Sequence, residues 1–223
     1  MRAGQGPRRP ARKAPPDPHL IEAARLYAIT PDRDPEQVIA LAQAVLRGGA
    51  DVLQLRHKKL PRGQLLDVAR RLRDMTVEAG ALFIVNDYVD VALIAGADGV
   101  HLGPDDLRIE SARKIAPPGF LIGASASKPE AARAAVDAGA GYIGCGATFS
   151  TPLKPNKDVI GPAGVAAVSA AVRVPVFAIG GIDESNISQL TSIGVHRVCV
   201  IRAIADSKDA ESAARRLRAM LTA

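Results

Sequence analysis

A closed (β/α)8 TIM barrel is the fold class this sequence predicts, and three observations predict it. From Arg25 onward, short apolar runs alternate with longer amphipathic runs rich in Ala and Arg, the pattern of parallel strands joined by crossover helices. About eight such units fit into roughly 200 residues, the small end of the size range of these barrels. The loop after the first strand reads "TPDRDPEQ", without the glycines that a doubly wound, dinucleotide-binding sheet would carry there.

In chain order, the strands are expected at 25–29 (RLYAI), 51–55 (DVLQL), 82–85 (LFIV), 99–102 (GVHL), 120–124 (FLIGA), 142–145 (YIGC), 174–179 (VPVFAI) and 197–201 (RVCVI). Helices are expected near 35–47, 62–79, 88–95, 106–116, 128–138, 161–172, 184–193 and 208–221. Pro35 after Asp34, Pro129, and Asp183 before Glu184 mark helix starts. Gly48, Gly80, Gly96, Gly139 and Gly194 stand where helices should end. The pieces "GGAD", "AGAD", "AGAG" and "SIGVH" each lead from a helix into a strand.

Residues 1–18 hold five basic residues against one acid, so +4 of the net +6 belongs to them. That segment is rich in Pro and Gly and has no apolar period. It is read as a disordered basic extension before a barrel domain at 19–223, and not as a signal peptide. Aromatics make up only 3% of the chain, which argues against nucleic-acid binding through base stacking. No run approaches the roughly 20 apolar residues of a membrane span. Cys145 and Cys199 lie far apart in apolar runs, as buried reduced thiols of a cytoplasmic protein would.

Catalytic residues of such barrels lie at the C-terminal ends of strands and in the loops that follow. The polar residues fall there: Gln54, Arg56 and Lys58 after the second strand; Asn86 and Asp87 after the third; Asp105 and Asp106 after the fourth; Ser125 after the fifth; Thr148, Ser150, Thr151 and Lys154 after the sixth; Gly180 and Gly181 after the seventh; Ile201 to Ile204 after the eighth. Singly, each has a bland reading, such as a solvated turn or strand-end turn chemistry for the Asn-Asp pair. Together on one rim they divide by chemistry. Arg56 and Lys58 supply positive charge for phosphates. Asp87 and Asp106 suit Mg²⁺ held by carboxylates plus substrate phosphates. The double glycine and the eighth loop lie where barrels bind phosphate through backbone N–H groups. Two phosphorylated ligands facing each other is the inference. His101 alternates with Val100 and Leu102, so it faces either the barrel interior or the rim, and is read as a packed histidine.

The pieces "LYAIT", "QLRHK" (54–58), "FIVNDYVDVALIAGADGVHLG" (83–103) with Asp106, "IGAS", "YIGCG", "TPLKP", "AIGGI" and "IRAI" resemble the thiamine-phosphate synthase family between about Leu26 and Ile204. The resemblance implies joining of hydroxymethylpyrimidine diphosphate to thiazole phosphate, with release of diphosphate. It implies that Gln54, Arg56, Lys58, Asn86, Ser125 and Lys154 hold the pyrimidine diphosphate. Ser125 and Lys154 would be catalytic, and Asp87 and Asp106 would bind Mg²⁺. Thr151, Leu153, Gly181, Ile201 and Arg202 would meet the thiazole phosphate.

The chain departs from the family's pattern at several positions. Leu153 replaces a Thr and cannot donate to phosphate, Pro104 replaces a Gln, His57 stands where an acid is frequent, and Ser127 where many relatives have His. Arg202 replaces a Ser of some members. Two rivals share the fold. A thiazole tautomerase would tend to lack the Asn-Asp pair and to carry His at the place of Ser127. A non-catalytic phosphate-binding barrel would be consistent with Leu153. The expected partners are small phosphorylated molecules, with no nucleic acid or membrane. The sequence leaves a homo-oligomer open.

Overall fold

The computed structural model describes residues 19–150 and 158–222. The expected basic extension at 1–18 and the site residues Thr151, Leu153 and Lys154 lie outside the described residues.

Eight strands close into a barrel in chain order: β1 (Leu26–Ile29), β2 (Val52–Leu55), β3 (Leu82–Asn86), β4 (Gly99–Leu102), β5 (Leu121–Ser125), β6 (Tyr142–Cys145), β7 (Val176–Ile179) and β8 (Val198–Val200). Each pair is parallel, and β8 returns to β1 through Tyr27 opposite Cys199. The helices are α1 (His19–Ala23), α2 (Pro35–Arg47), α3 (Arg62–Ala79), α4 (Val89–Ala95), α5 (Ile109–Ile115), α6 (Pro129–Asp137), α7 (Gly161–Ala171), α8 (Ser188–Thr191), α9 (Arg202–Ala205) and α10 (Ala210–Met220).

The (β/α)8 expectation is thus met, with three local differences. The helix expected at 184–193 is only Ser188–Thr191. Asp183 accepts from the N–H and hydroxyl of Ser185 and closes a turn, where the sequence placed a helix cap. The helix expected from 106 begins at Ile109, because Asp106 turns back to bond Gly103. α1 and α9, of five and four residues, are too short to show an amphipathic period in sequence.

Side chains alternate across each strand. Tyr27, Val52, Ile84, Leu121, Tyr142 and Phe177 fill the barrel interior, and Ile21 and Ala24 join them from the end where β1 begins. The opposite faces, including Leu53, Phe83, Ile122 and Val198, pack under the helices against Val38, Leu72, Val168 and Leu217. Burying each large side chain of this kind contributes about 1.5–3 kcal/mol. The repeated Gly-Ala-Asp pieces have a physical reason. Asp51 accepts from the N–H groups of Arg25 and Leu26, and Asp98 accepts from that of Phe83. Each carboxylate therefore fastens the start of the strand beside it. Both cysteines are buried thiols. Among the described residues, no helix is long and apolar enough to cross a membrane.

Candidate active site

The ends of β2, β3 and β4 bring a cationic pair and two carboxylates together. Gln54 lies on the same face of β2 as the inward Val52, and Arg56 two residues on reaches the rim. Asn86 ends β3 on the face of Leu82 and Ile84. Asp87 then takes φ 64°, alone in that region among the described non-glycine residues. Backbone strain of this kind gathers at functional sites. Here two hydrogen bonds hold it, from the Asp87 N–H to His101 O (2.9 Å) and from the Tyr88 N–H to Asn86 O (2.8 Å). The Arg62 guanidinium caps the Tyr88 ring at 3.9 Å and bonds Asp90 at 2.7 Å, fastening the start of α4 to α3.

The strained turn aims the Asp87 carboxylate at the Lys58 ammonium, with which it pairs. Asp106 lies beside it, its Oδ2 accepting the Gly103 N–H at 2.8 Å. Burial pushes the Asp87 carboxyl above the usual range. The neighbouring Asp106 adds to the rise, against the pull of Lys58. Two carboxylates side by side form a place where a cation is favoured. They fit a Mg²⁺ that takes its remaining ligands from phosphate and water.

Asp32, in the loop after β1, accepts the Lys58 N–H at 2.8 Å and lies 3.6 Å from Arg56. His57, between the two cations, turns away from the rim. Its buried ring receives the N–H groups of Lys59 and Leu60 on Nδ1 (3.3 and 3.0 Å), so Nε2 carries the proton and donates to Arg33 O (2.9 Å). This clamp joins two loops and fixes where Arg56 and Lys58 point. His57→Ala is expected to leave a folded barrel and to weaken binding of inorganic diphosphate by about tenfold, the equivalent of ~1.4 kcal/mol. Calorimetric titration measures this, and unchanged affinity would remove the clamp from the site.

The other half of the mouth is a cavity of about 430 Å³ lined by Gly180, Gly181, Ile201 and Arg202, with Ser125 and Ser150. Its wall is two loops stitched together: Thr148 N–H donates to Ile179 O at 2.8 Å, and Phe149 N–H to Gly180 O at 2.9 Å. Ser150, the last described residue before Thr151, lines the cavity. Arg202 opens α9 at the lip. Its Nε bonds Asp206 at 2.8 Å, and Asp206 also holds Arg33 at 3.1 Å. The guanidinium that the sequence offered to phosphate is therefore shared with a carboxylate. A larger groove of about 880 Å³ between α2 and the start of α10 contains none of the predicted site residues.

Below the mouth lies an arrangement that the sequence reading missed. Gln54 Nε2 donates to the Tyr27 hydroxyl (2.7 Å), which meets the Tyr142 hydroxyl (2.9 Å). That hydroxyl meets His101 Nδ1 (3.2 Å), and His101 Nε2 meets Ser125 Oγ (3.0 Å). Burial pushes both phenols well above their ordinary range, so both keep their protons. The available signal was one polar letter at an inward position of each of β1, β2, β4, β5 and β6.

The family description "Thiamine monophosphate synthase" matches residues 26–204. The thiamine-phosphate synthase of Methanoculleus marisnigri is 49% identical over 187 residues, covering 82% of this chain and 87% of that one. That of Pyrococcus horikoshii is 42% identical over 200 residues, covering 90% and 96%. The solved thiamine phosphate pyrophosphorylase of Pyrococcus furiosus superposes with a TM-score of 0.83 at 39% identity, covering 89% of this chain and 96% of that one.

Proposed function

The chain belongs to the thiamine monophosphate synthase family, and from that premise we propose how its rim carries the reaction. The activity is thiamine-phosphate synthesis: 4-amino-2-methyl-5-hydroxymethylpyrimidine diphosphate and 4-methyl-5-(2-phosphoethyl)thiazole give thiamine phosphate and diphosphate. The observation that carries the reading is a Lys58–Asp87 pair beside Asp106 on one half of the barrel mouth and a glycine-lined cavity on the other.

Gln54, Arg56, Lys58, Asn86, Ser125 and Lys154 bind the pyrimidine diphosphate. Thr151, Leu153, Gly181, Ile201 and Arg202 bind the thiazole phosphate. Asp87 and Asp106 would hold Mg²⁺, which when bound neutralises charge on the diphosphate. The pyrimidine C–O bond breaks and its electron pair leaves with the diphosphate, while the thiazole nitrogen lone pair forms the new C–N bond. The nucleophile is neutral and needs no base. Arg56, Lys58 and Lys154 meet the charge that grows on the leaving group. Holding both reactants in line supplies about 7–11 kcal/mol. The retained Asn86 and Asp87 favour this reading over a thiazole tautomerase, which binds no diphosphate. Buried thiols and soluble phosphorylated substrates support a cytoplasmic setting.

Incubated with both phosphorylated halves, the purified protein is expected to form thiamine phosphate with Mg²⁺ and none with excess chelator. Folded protein that makes no product with Mg²⁺ overturns the assignment. Product formation undiminished by chelator overturns the metal role alone.

A further inference from the structure

The polar chain under the mouth has a direction. Gln54 gives an N–H to the Tyr27 oxygen, so the Tyr27 proton must point elsewhere, and its partner is the Tyr142 oxygen. The Tyr142 proton then points to His101 Nδ1, which leaves the imidazole proton on Nε2, facing Ser125 Oγ. Ser125 therefore accepts from below and keeps its own proton for the mouth. At the other end one of the two N–H groups of the Gln54 amide is directed at Tyr27, which orients the amide and leaves its carbonyl oxygen as the acceptor on offer. β2 and β5 stand three strands apart in the closed barrel, so a ring lying in the mouth meets an acceptor on one side and a donor on the other.

The chain is built into the packing. A Cβ on Gly123 would fall 2.0 Å from Tyr142 Cζ, and one on Gly144 would fall 3.1 Å from His101 Cε1. Two inward strand positions are thus kept empty for these two rings. The aromatic contacts of Tyr27 and Tyr142 with each other and with Phe177, at 5.4–5.9 Å between centroids, hold the rings independently of their hydroxyls.

We propose that Tyr27, Tyr142 and His101 are positioning residues whose one-way hydrogen-bond chain fixes Gln54 as acceptor and Ser125 as donor toward the substrate ring. The chain thereby makes the site select an amino-substituted pyrimidine over its oxo counterpart. An exocyclic amino group donates to the Gln54 oxygen, whereas an oxo group sets two acceptors against each other. A site built on such pairing rejects the mismatched analogue strongly. The selectivity part rests on the synthase reading above; the direction of the chain does not.

Two measurements decide it. Nitrogen-15 NMR of the imidazoles in the ligand-free protein, with His101 assigned by its absence in His101→Gln, is expected to show the proton on Nε2. In Tyr142→Phe, which keeps the ring, the two tautomers are expected to mix. In kinetics, Tyr142→Phe is expected to keep the thiazole-phosphate KM. It should lower the ratio of kcat/KM for the 4-amino over the 4-oxo pyrimidine diphosphate by about tenfold or more. His101→Gln, which can still donate toward Ser125, should retain most of the selectivity, and His101→Leu should lose it. A wild-type proton on Nδ1, or a Tyr142→Phe protein with unchanged tautomer and unchanged selectivity, overturns the proposal. A protein that turns over neither pyrimidine defeats the synthase reading, and the NMR result still decides the chain.

Discussion

Asp87→Asn is expected to reduce turnover by about 10²–10³-fold, the effect of removing one preorganised electrostatic group from a reaction centre. It should leave the thermal melt unchanged or slightly higher. Asn is chosen over Ala because the backbone at this position has φ 64°, a region that Asn and Asp tolerate and Ala does not. The substitution therefore removes the charge and keeps the turn. The stability argument has a definite sign. The Asp87 carboxyl is raised in the folded protein, burial being the main cause, so the folded chain holds this proton more firmly than the unfolded chain does. Its favourable contribution is complete below the ordinary carboxylate range and is lost as pH rises through the raised value. At neutral pH the charge is a burden on the ligand-free fold, relieved in part by Lys58. Melts of the two proteins at neutral pH and near pH 4 test this: any advantage of Asn should be larger at neutral pH. A clear loss of stability at neutral pH would mean that Asp87 holds the fold, and any fall in turnover could then not be assigned to chemistry. Full turnover would remove Asp87 from the site.

What the sequence made legible follows from the range of each signal. Strand and helix alternation is local, so all eight strands and the main helices could be placed, and closure followed from their number. The rim residues could be found because a barrel puts every strand's C-terminal end on one side. Gln54, Asn86, Asp87 and Ser125 therefore surfaced as polar letters at strand ends. Pairings that cross the barrel were not legible. Tyr27 and Tyr142 meet across 115 positions of sequence, and nothing near either residue names the other. His101 could be narrowed to interior or rim, and the structure shows why the choice was hard. Its ring is packed against Tyr142 and its Nε2 reaches the rim at Ser125. Arg202 was legible as a cation at the rim, whereas its pairing with Asp206, four residues on, was not read from the sequence.

Gly181→Ala is expected to raise the thiazole-phosphate KM by about 10–100-fold while leaving affinity for the pyrimidine diphosphate nearly unchanged. Two separate obstacles combine there. The backbone has φ 66°, which disfavours any L side chain by about 1–2 kcal/mol. A Cβ would also lie 2.5 Å from Ser150 O and 2.9 Å from Phe149 Cβ. Relief requires the 148–150 backbone to retreat. That segment is tied to β7 by the Thr148–Ile179 and Phe149–Gly180 hydrogen bonds, so retreat breaks the wall of the cavity that Gly181 and Ser150 share. Overpacking of this kind typically adds about 1–3 kcal/mol. Gly80→Ala separates the two obstacles. Gly80 has φ 69° and nothing within 4 Å of its Cβ position, and it ends α3, on the far side of the barrel from the rim. It should lose stability by the backbone term alone and keep both substrate constants. If Gly181→Ala and Gly80→Ala behave alike in the melt and in the thiazole KM, the glycine is required only for its backbone angle. A selective rise at Gly181 ties the double glycine to the thiazole phosphate, because only a side chain intruding on the shared wall can separate one substrate's binding from the other's.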